Sequence, residues 1–406
     1  MRSNLKKRKA KDLFRNISAY FFSAVGVICL VFILAFIFAN GSSVLSWDFL
    51  TSDYNSTTTT CSYSETSENK SFADPHIDDV YFASNWGVGF EDGKDAEGSS
   101  TVIISYIDNA SPFMTLTNSA DDSYYQTKIG TSVSSALLFD KDGNVVLAMS
   151  NTGAQKVAES FASGVRIKTI SLTTSGGGIR GSLISTLYMI FFTLLFGLPL
   201  GIGSAVFLSL FSKQGKITDA LRGLIDLAGG IPSIIYGLVG AVIFIPFVNS
   251  FSSNKGGSIL SGALTMGIML LPIIIRTTEE AIKTVPSSYL SASLALGASK
   301  SQSVFKVVLP NSIQGILSGV LLAIGRIIGE SAALIYAVGT AIKDNIILTE
   351  GSATLALHIW SLMGGENPNY QAACGVAIII IAVDLFLNII VKIINVRFNK
   401  RFKGGN

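Results

Sequence analysis

The sequence is poor in the residues that crosslink a fold or hold a metal ion. Its 406 residues include three cysteines and two histidines. Cys29, Cys61 and Cys374 lie far apart, and their spacing matches neither a disulfide framework nor a zinc site. We therefore expect no structural metal and no disulfide-linked scaffold.

Motifs for nucleotide hydrolysis and covalent catalysis are missing as well. The chain has no GxxxxGK[ST] phosphate loop and no motif that pairs a nucleophile with a base. His76 stands alone in a polar region, so we expect it at the surface and not in a metal site. The chain is predicted not to be an enzyme and to hold no cofactor. Any step driven by ATP would therefore need a separate subunit to bind ATP and Mg²⁺.

Charged residues are scarce and apolar residues are abundant. They make up 14% and 49% of the chain, a balance unlike that of an ordinary soluble domain or a disordered chain. Residues 41–181 are the exception, because they contain 17 Asp and Glu against 8 Lys and Arg. The composition predicts a membrane protein with several spans and one acidic, soluble insert.

Long apolar stretches predict six transmembrane helices. The first, residues 17–39, is too long for a cleaved signal peptide, so we expect a retained helix. The other five are expected at 182–211, 224–248, 258–277, 312–342 and 370–394. Basic clusters in the tails 1–16 and 396–406 place both termini in the cytoplasm by the positive-inside rule. The basic tail lacks the aromatic residues of a nucleic-acid-binding segment, so no nucleic-acid partner is expected.

The insert, residues 41–181, carries patterns typical of β-strands. Thr101–Ile107 is rich in β-branched residues. Ala136–Phe139 and Val145–Met149 flank a DKDGN sequence that predicts a hairpin. Val165–Leu172 alternates apolar and polar residues. We expect a small β-rich domain on the outer face of the membrane.

The stretch Tyr289–Pro310 separates two predicted spans and reads YLSASLALGASKSQSVFKVVLP. Two short amphipathic segments meet at Gly297, where the missing Cβ lets the chain bend. Pro310 tolerates the first turn of a helix but not a helix interior, so a new element is expected to begin at Leu309. Such a helix–bend–helix at the membrane face is suited to dock in a groove of another protein.

Few ionisable residues interrupt the predicted spans. An arginine inside a span costs at least ~3 kcal/mol on insertion scales, which stability alone seldom explains. Arg276, Arg326 and Glu330 are the candidates for a substrate pathway, because guanidinium groups suit tetrahedral oxyanions. Arg326 and Glu330 are four residues apart and are expected to share one helix face, either as a structural pair or as a pair that substrate opens. Asp384, in the last span, has no assigned role.

Several motifs resemble one transporter family. Ser291-Ala292-Ser293, then Gly297, then Leu309-Pro310 have the spacing of the EAA loop in permeases of binding-protein-dependent ABC importers, although Ser291 stands where the family often has glutamate. Four longer segments resemble the phosphate permeases of the PstA type: LAGGIPSIIYGL (227–238), LPIIIRTTEEAIKTVP (271–286), ASLALGAS (292–299) and GRIIGESAAL (325–334).

The resemblance implies a fold, a function and partners. The expected fold class is an all-α polytopic membrane protein with six transmembrane helices, the ABC type I importer permease fold, in residues 182–395, with the β-rich domain inserted after the first helix. The implied function is ATP-driven phosphate import across the bacterial cell membrane, with a PstC-type permease, a PstB-type ATPase dimer and a phosphate-binding protein as partners. The residues that the resemblance assigns to ATPase coupling within 289–310 are Ser291, Ala292, Ser293, Gly297, Leu309 and Pro310.

Two alternative functions stay open at this point. The chain could be a permease for another oxyanion, such as sulfate or molybdate, which competition in uptake assays would reveal. It could also be a membrane receptor whose outer domain senses a ligand. Co-purification of an ATPase would count against a receptor.

Overall fold

The computed structural model describes residues 2–67, 70–94, 100–174, 176–213, 215–364 and 368–402. Residues 403–406 of the predicted C-terminal tail and residues 95–99 of the predicted insert lie outside that set. The chain divides into two units. One joins Met1–Leu50 to Ile179–Asn406, and the other is Thr51–Gly178.

The first unit is helical. Its helices are α1 (Arg2–Gly41), α2 (Trp47–Thr51, which runs to the boundary with the other unit), α4 (Arg180–Val206), α5 (Lys216–Gly229), α6 (Ser233–Val239), α7 (Ile245–Asn249), α8 (Ile259–Lys283), α9 (Ser287–Ala295), α10 (Lys300–Ser303), α11 (Leu309–Gly329), α12 (Ala332–Ala337), α13 (Leu355–Gly364) and α14 (Tyr370–Phe402). Single π-helical turns follow α4, α6 and α10, at Phe207–Phe211, Gly240–Phe244 and Val304–Val308.

The predicted fold class, an all-α membrane protein of six transmembrane helices with a β-rich insert, is wrong in its helical part, whereas the β-rich insert is present. Among the described residues, five continuous helices are long and apolar enough to cross a membrane. The stretch expected as the third span is a pair of helices, Lys216–Gly229 and Ser233–Asn249, bent by 99°. A nine-stranded sheet adds β structure to the chain. The bend follows from Gly229, Gly230 and Pro232, since a residue that precedes proline is disfavoured in the α conformation.

The fifth span also differs from its prediction. It runs without a long break from Lys300 to Gly329 instead of from 312 to 342. Leu309 begins α11 with Pro310 in its first turn, as the proline predicts, but a π-helical turn abuts it directly. After Gly329 the chain leaves the helix and forms the short α12.

Small residues let the long helices approach one another closely. A Cβ added to Gly201 of α4 would collide with Ile274 of α8. Close by on α8, Gly319 of α11 packs against Thr277, and Gly315 packs against Ala281. Close backbone approach of this kind is how helices associate in a membrane. The hydrophobic effect does not drive helices together in lipid, so van der Waals packing has to do so. α8 is therefore the central helix of the bundle, in contact with both α4 and α11.

The second unit is an antiparallel sheet with one helix packed on it. Its strands are β1 (Thr57–Ser62), β2 (Tyr81–Ala83), β3 (Val88–Lys94), β4 (Ser100–Ile107), β5 (Leu116–Asn118), β6 (Tyr124–Tyr125), β7 (Ser132–Phe139), β8 (Val145–Met149) and β9 (Arg166–Thr174). The order is β2-β3-β4-β7-β9-β1-β5-β6, with β8 paired to β7. The strands that the sequence predicts all lie in this sheet, and the predicted hairpin joins β7 to β8.

An aromatic cluster forms the core of this unit. Trp86, Phe90, Phe113 and Phe161 are all fully buried, and Phe161 comes from α3 (Ala154–Ser163). The Trp86 indole donates hydrogen bonds to the carbonyl oxygens of Phe161, at 3.0 Å, and Gly164, at 2.9 Å. The indole thus satisfies its polar group inside the core and fixes the end of α3 against the sheet.

Candidate functional site

Arg326 is a charged residue at the end of an apolar helix. It lies in the last turn of α11, where a cation interacts favourably with the helix dipole. Its side chain is exposed, and it has no hydrogen-bond or ion-pair partner among the described residues. Its charge lies close enough to the Tyr236 hydroxyl of α6 to interact with it electrostatically. The place of Arg326 in a substrate pathway stays a prediction.

Glu330 is not the partner of Arg326, contrary to the helix-face argument. α11 ends at Gly329, and Glu330 has an extended backbone (φ −80°, ψ 126°), so the two side chains do not share a helix face. Glu330 is 9% exposed, and its Oε1 accepts a hydrogen bond of 3.2 Å from the backbone N–H of Ala333. Glu330 thus satisfies one of the free N–H groups at the start of α12. Its place in a substrate pathway stays a prediction.

Arg276 has a counter-ion that the sequence argument did not assign. Its guanidinium donates a hydrogen bond to Asp226 of α5 and forms an ion pair with it. A turn further along α8, Glu279 forms an ion pair with Arg222 of α5 at 3.4 Å. Each helix supplies one arginine and one carboxylate. Because α5 and α8 run antiparallel, the arginine of each helix meets the carboxylate of the other. We call Arg222, Asp226, Arg276 and Glu279 the α5–α8 charge cluster.

The two pairs of this cluster differ in burial. The Glu279 side chain is 9% exposed and also accepts from the Ser209 hydroxyl at 3.4 Å. Arg276 and Asp226 have side chains that are 55% and 48% exposed. A cavity of about 200 Å³ opens beside them, lined by the cluster and by Ile225, Ile275, Glu280 and Lys283. The cavity has room for several water molecules, so the Arg276 pair is open to solvent and the Glu279 pair is largely shielded.

The two arginines lie at different depths in the bundle. Gly319 of α11 is level with Thr277 of α8, as their packing contact shows. Counted from that contact, Arg326 stands six residues above Arg276, or roughly 9 Å along the axis at 1.5 Å per residue. Arg276 and Arg326 therefore project from backbone positions at different depths of the bundle. They could act as successive positions on a path.

Asp384 lies beside the upper arginine region. One of its carboxylate oxygens is 3.7 Å from the position that a Cβ on Gly325 would occupy. The other accepts a hydrogen bond of 3.0 Å from Asn388, one turn along α14. The carboxylate, which had no assigned role, thus sits where α14 contacts α11, next to the residue before Arg326. The absence of a side chain at Gly325 leaves it space there.

The coupling stretch has the bent form that its sequence predicts. α9 carries Ser291, Ala292 and Ser293, and it is followed by Gly297 with a φ of +85°, a left-handed conformation that favours glycine. The Ser303 hydroxyl of α10 donates to the Ser293 hydroxyl at 2.9 Å and ties the two arms together. The bend is therefore set by one glycine and held by one hydrogen bond between side chains.

The two arms differ in how they meet the bundle. Val304 and Val308 are buried against Val206 and Ile282, with Leu290 packed beside them. Leu296, at the tip of the bend, is 89% exposed and points away from this core. Leu290 is thus packed on the bundle, whereas Leu296 is exposed. An exposed leucine at a fixed bend is a suitable contact for a groove in a second protein.

Comparison with known proteins gives the class of this molecule. The family described as "Binding-protein-dependent transport system inner membrane component" matches residues 197–404. The chain is 35% identical over 233 residues to the probable ABC transporter permease protein YqgI of Bacillus subtilis, an alignment that covers 53% of this chain and 77% of YqgI. It is 31% identical to the phosphate transport system permease protein PstA of Yersinia pestis, covering 54% of this chain and 73% of PstA.

A solved structure of the MetNI methionine ABC transporter, in inward-facing form, is also similar. It shares 22% identity and a TM-score of 0.44, over 54% of this chain and 95% of the MetNI chain. The sequence comparisons decide the assignment: the chain belongs to the binding-protein-dependent transport system inner membrane component family. Within that family it is a PstA-type permease, a multi-pass inner-membrane subunit of an ABC importer and not an enzyme.

The charge cluster contains two candidate residues, Arg222 and Asp226, that the sequence analysis did not single out. The signal for both was their spacing of four on one amphipathic segment, with the same order of charges, arginine then carboxylate, as Arg276 and Glu279. The GGIP sequence at 229–232 indicates a break in this segment, in line with the 99° bend of the structure.

Proposed function

We propose that this chain forms, with a second permease, the path by which an ATP-driven importer moves inorganic phosphate into the cell. The observation that carries the proposal is the unpartnered guanidinium of Arg326 at the end of an apolar span, in a chain that resembles PstA over most of the PstA length. An arginine without a counter-ion is costly in a membrane unless an anion or water reaches it. A tetrahedral oxyanion fits its paired donors.

Phosphate passes two arginines in succession in this proposal. Arg326 meets the anion first, on the outer side, and Arg276 meets it roughly 9 Å further in, as the axial rise per residue implies. Binding at each point must be weak enough for release, and separate single arginines satisfy that condition better than a closed cage. Glu330 supports the path by fixing the start of α12, which packs against α6 at Gly237.

The driving force comes from a separate ATPase in this proposal. Two copies of a PstB-type subunit, which bind ATP and Mg²⁺, dock on the 289–310 stretch of this chain and on its counterpart in a PstC-type permease. The bend at Gly297 and the exposed tip at Leu296 support docking at that point. This arrangement places the coupling stretch and both termini in the cytoplasm, and the second unit outside.

The test is uptake by a reconstituted importer. The chain is co-expressed with its candidate permease, ATPase and binding protein, and the purified complex is placed in liposomes. We expect phosphate uptake that needs ATP and the binding protein and that excess sulfate or molybdate does not inhibit. Uptake of sulfate or molybdate in place of phosphate would assign another oxyanion. A complex that purifies without an ATPase and moves solute alone would overturn the assignment to an ABC importer.

We further propose that the Thr51–Gly178 unit contacts the external binding protein or the partner permease. Its two ends are joined by hydrogen bonds, from Gly177 N–H to the Tyr54 carbonyl at 2.8 Å and from Gly178 N–H to the Asp53 carbonyl at 3.0 Å. A unit with adjacent ends can be excised and replaced by a short linker. We expect the excised variant to assemble with lower binding-protein-dependent uptake. Unchanged uptake would contradict this role.

A further inference from the structure

The α5–α8 charge cluster contains one shielded and one open ion pair. Glu279 is buried and receives hydrogen bonds from two side chains, Ser209 and Arg222. The Asp226–Arg276 pair is half-exposed and borders the 200 Å³ cavity. An open pair exchanges partners at little cost, because solvent screens its attraction, whereas a shielded pair resists exchange. Asp226 is therefore a carboxylate that an incoming anion can replace.

The helix that carries Asp226 is loosely attached to the bundle. Thr218 is the one fully buried residue among the 14 of α5, all of which are described. Its C-terminal end leads directly into the bend, so α5 is joined to α6 by three residues only, Gly230, Ile231 and Pro232. The cluster supplies the polar contacts of α5 with α8. A shift of α5 about the shielded pair would separate Asp226 from Arg276 and leave the Arg222 contact in place.

We propose that Asp226 is a positioning residue that holds Arg276 and competes with the transported oxyanion for it. Asp226 occupies the donors of Arg276 when no anion is present, which keeps an unpaired cation out of the bundle. The anion takes over those donors as it reaches the cavity, and Asp226 regains them when the anion leaves toward the cytoplasm. This role rests on the proposed function and names a specific competitor for the anion within it.

The first variant to measure is Asp226→Asn in the full reconstituted importer. Asparagine keeps the size of the side chain but removes the charge that competes with the anion. We expect the apparent KM for phosphate uptake to fall by about two- to fivefold, the range that an exposed ion pair spans. Asp226→Glu retains the competing charge and should keep a KM near that of the wild type. Asp219→Asn removes an equal charge from the exposed first turn of α5 and is the matched control.

A charge exchange separates positioning from simple structural support. The double variant Asp226→Arg with Arg276→Asp keeps an ion pair between α5 and α8 but moves the guanidinium to α5. If Arg276 receives the anion, this variant assembles and loses uptake. Full uptake by the exchanged pair, or an unchanged KM in Asp226→Asn, would show that the pair serves stability alone and would overturn the inference.

The outcomes also separate this inference from the proposed function. If the wild type takes up phosphate and Asp226→Asn leaves its KM unchanged, the inference fails and the proposed function stands. If the wild type takes up sulfate or molybdate instead, the same KM comparison is made with that anion, and a lower KM in Asp226→Asn still supports the competition. If the wild type carries none of these oxyanions, both proposals are overturned.

Discussion

The two arginines of the membrane unit stand in opposite electrostatic situations. Arg276 comes with a carboxylate from a neighbouring helix, in a group of charges that balance one another. Arg326 lies near the Tyr236 hydroxyl and has no hydrogen-bond or ion-pair partner among the described residues. The comparison shows that charged residues in membrane spans can serve different purposes. A compensated arginine can be present for stability, whereas an uncompensated one needs a ligand or water to offset its cost.

The comparison predicts the largest effect at Arg326. Arg326→Gln removes the charge but keeps hydrogen-bond donors, and no counter-ion is left unpaired by the change. Hydrogen bonds to charged groups are worth about 1.5–3 kcal/mol, so uptake should fall by at least about tenfold. Assembly with the partner permease and the ATPase should be unchanged, as measured by co-purification.

Two control variants show whether the loss is specific to the Arg326 guanidinium. Arg326→Lys keeps the charge and should retain part of the uptake, because lysine binds an oxyanion as a point charge without the paired donors. Lys255→Gln removes a charge from an exposed loop and should have no effect. If Arg326→Gln fails to assemble, the arginine supports the structure and the contrast with Arg276 disappears.

A second effect, several-fold in size, is expected at the bend of the coupling stretch. Gly297 has a φ of +85° with open space around it, so a side chain there meets backbone strain and no clash. The strain for other residues is about 1–2 kcal/mol, and Gly297→Ala should lower ATP-driven uptake by about threefold to tenfold. Gly256→Ala, in a loop with equally open space and no positive φ, is the matched control.

That variant sharpens the comparison because it touches neither arginine. Phosphate binding by the Gly297→Ala complex should equal that of the wild type, while uptake per ATP hydrolysed falls. A loss of binding in Gly297→Ala would mean that the bend shapes the anion path itself. The readouts are equilibrium binding of labelled phosphate and the ratio of uptake to hydrolysis.

The sequence predicted local structure better than it predicted contacts between helices. A β-branched run located β4, an alternation of apolar and polar residues located β9, and a glycine located the coupling bend, because local preferences act over a few residues. The Asp226–Arg276 pair joins positions 50 residues apart. Once α5 is read as part of a straight span, no pattern along the chain can bring the two together. Pro232 and Gly329 are residues that can end a helix. The predicted spans nevertheless continued across them, because the apolar stretches on both sides were long enough to cross a membrane.

A third effect, on stability, is expected at the shielded pair. Glu279→Gln removes the charge that receives the Arg222 guanidinium and the Ser209 hydroxyl. The loss of charge-assisted hydrogen bonds costs about 1.5–3 kcal/mol, so the thermal unfolding midpoint of the complex should fall by several degrees. Glu280→Gln, the exposed neighbour with no ion pair among the described residues, should leave the midpoint unchanged. Equal shifts in both variants would show that the cluster acts through its net charge and not through specific pairs.

The smallest effect is expected at Glu330. It tests whether Arg326 lacks a counter-ion at every stage of transport. If Glu330 acts through its hydrogen bond from the Ala333 N–H, Glu330→Gln retains a carbonyl acceptor at the same place. Uptake should then stay within about twofold of the wild type, since exchanges among capping side chains cost little. Glu330→Ala removes the acceptor and should cost about 1 kcal/mol of stability, the usual loss of a capping group. Uptake assays and thermal unfolding of both variants distinguish charge from capping. If Glu330→Gln loses uptake as completely as Arg326→Gln, then the carboxylate charge is needed in the path. Arg326 would then have a counter-ion at another stage of transport, and the contrast between the two arginines would be one of conformation and not of chemistry.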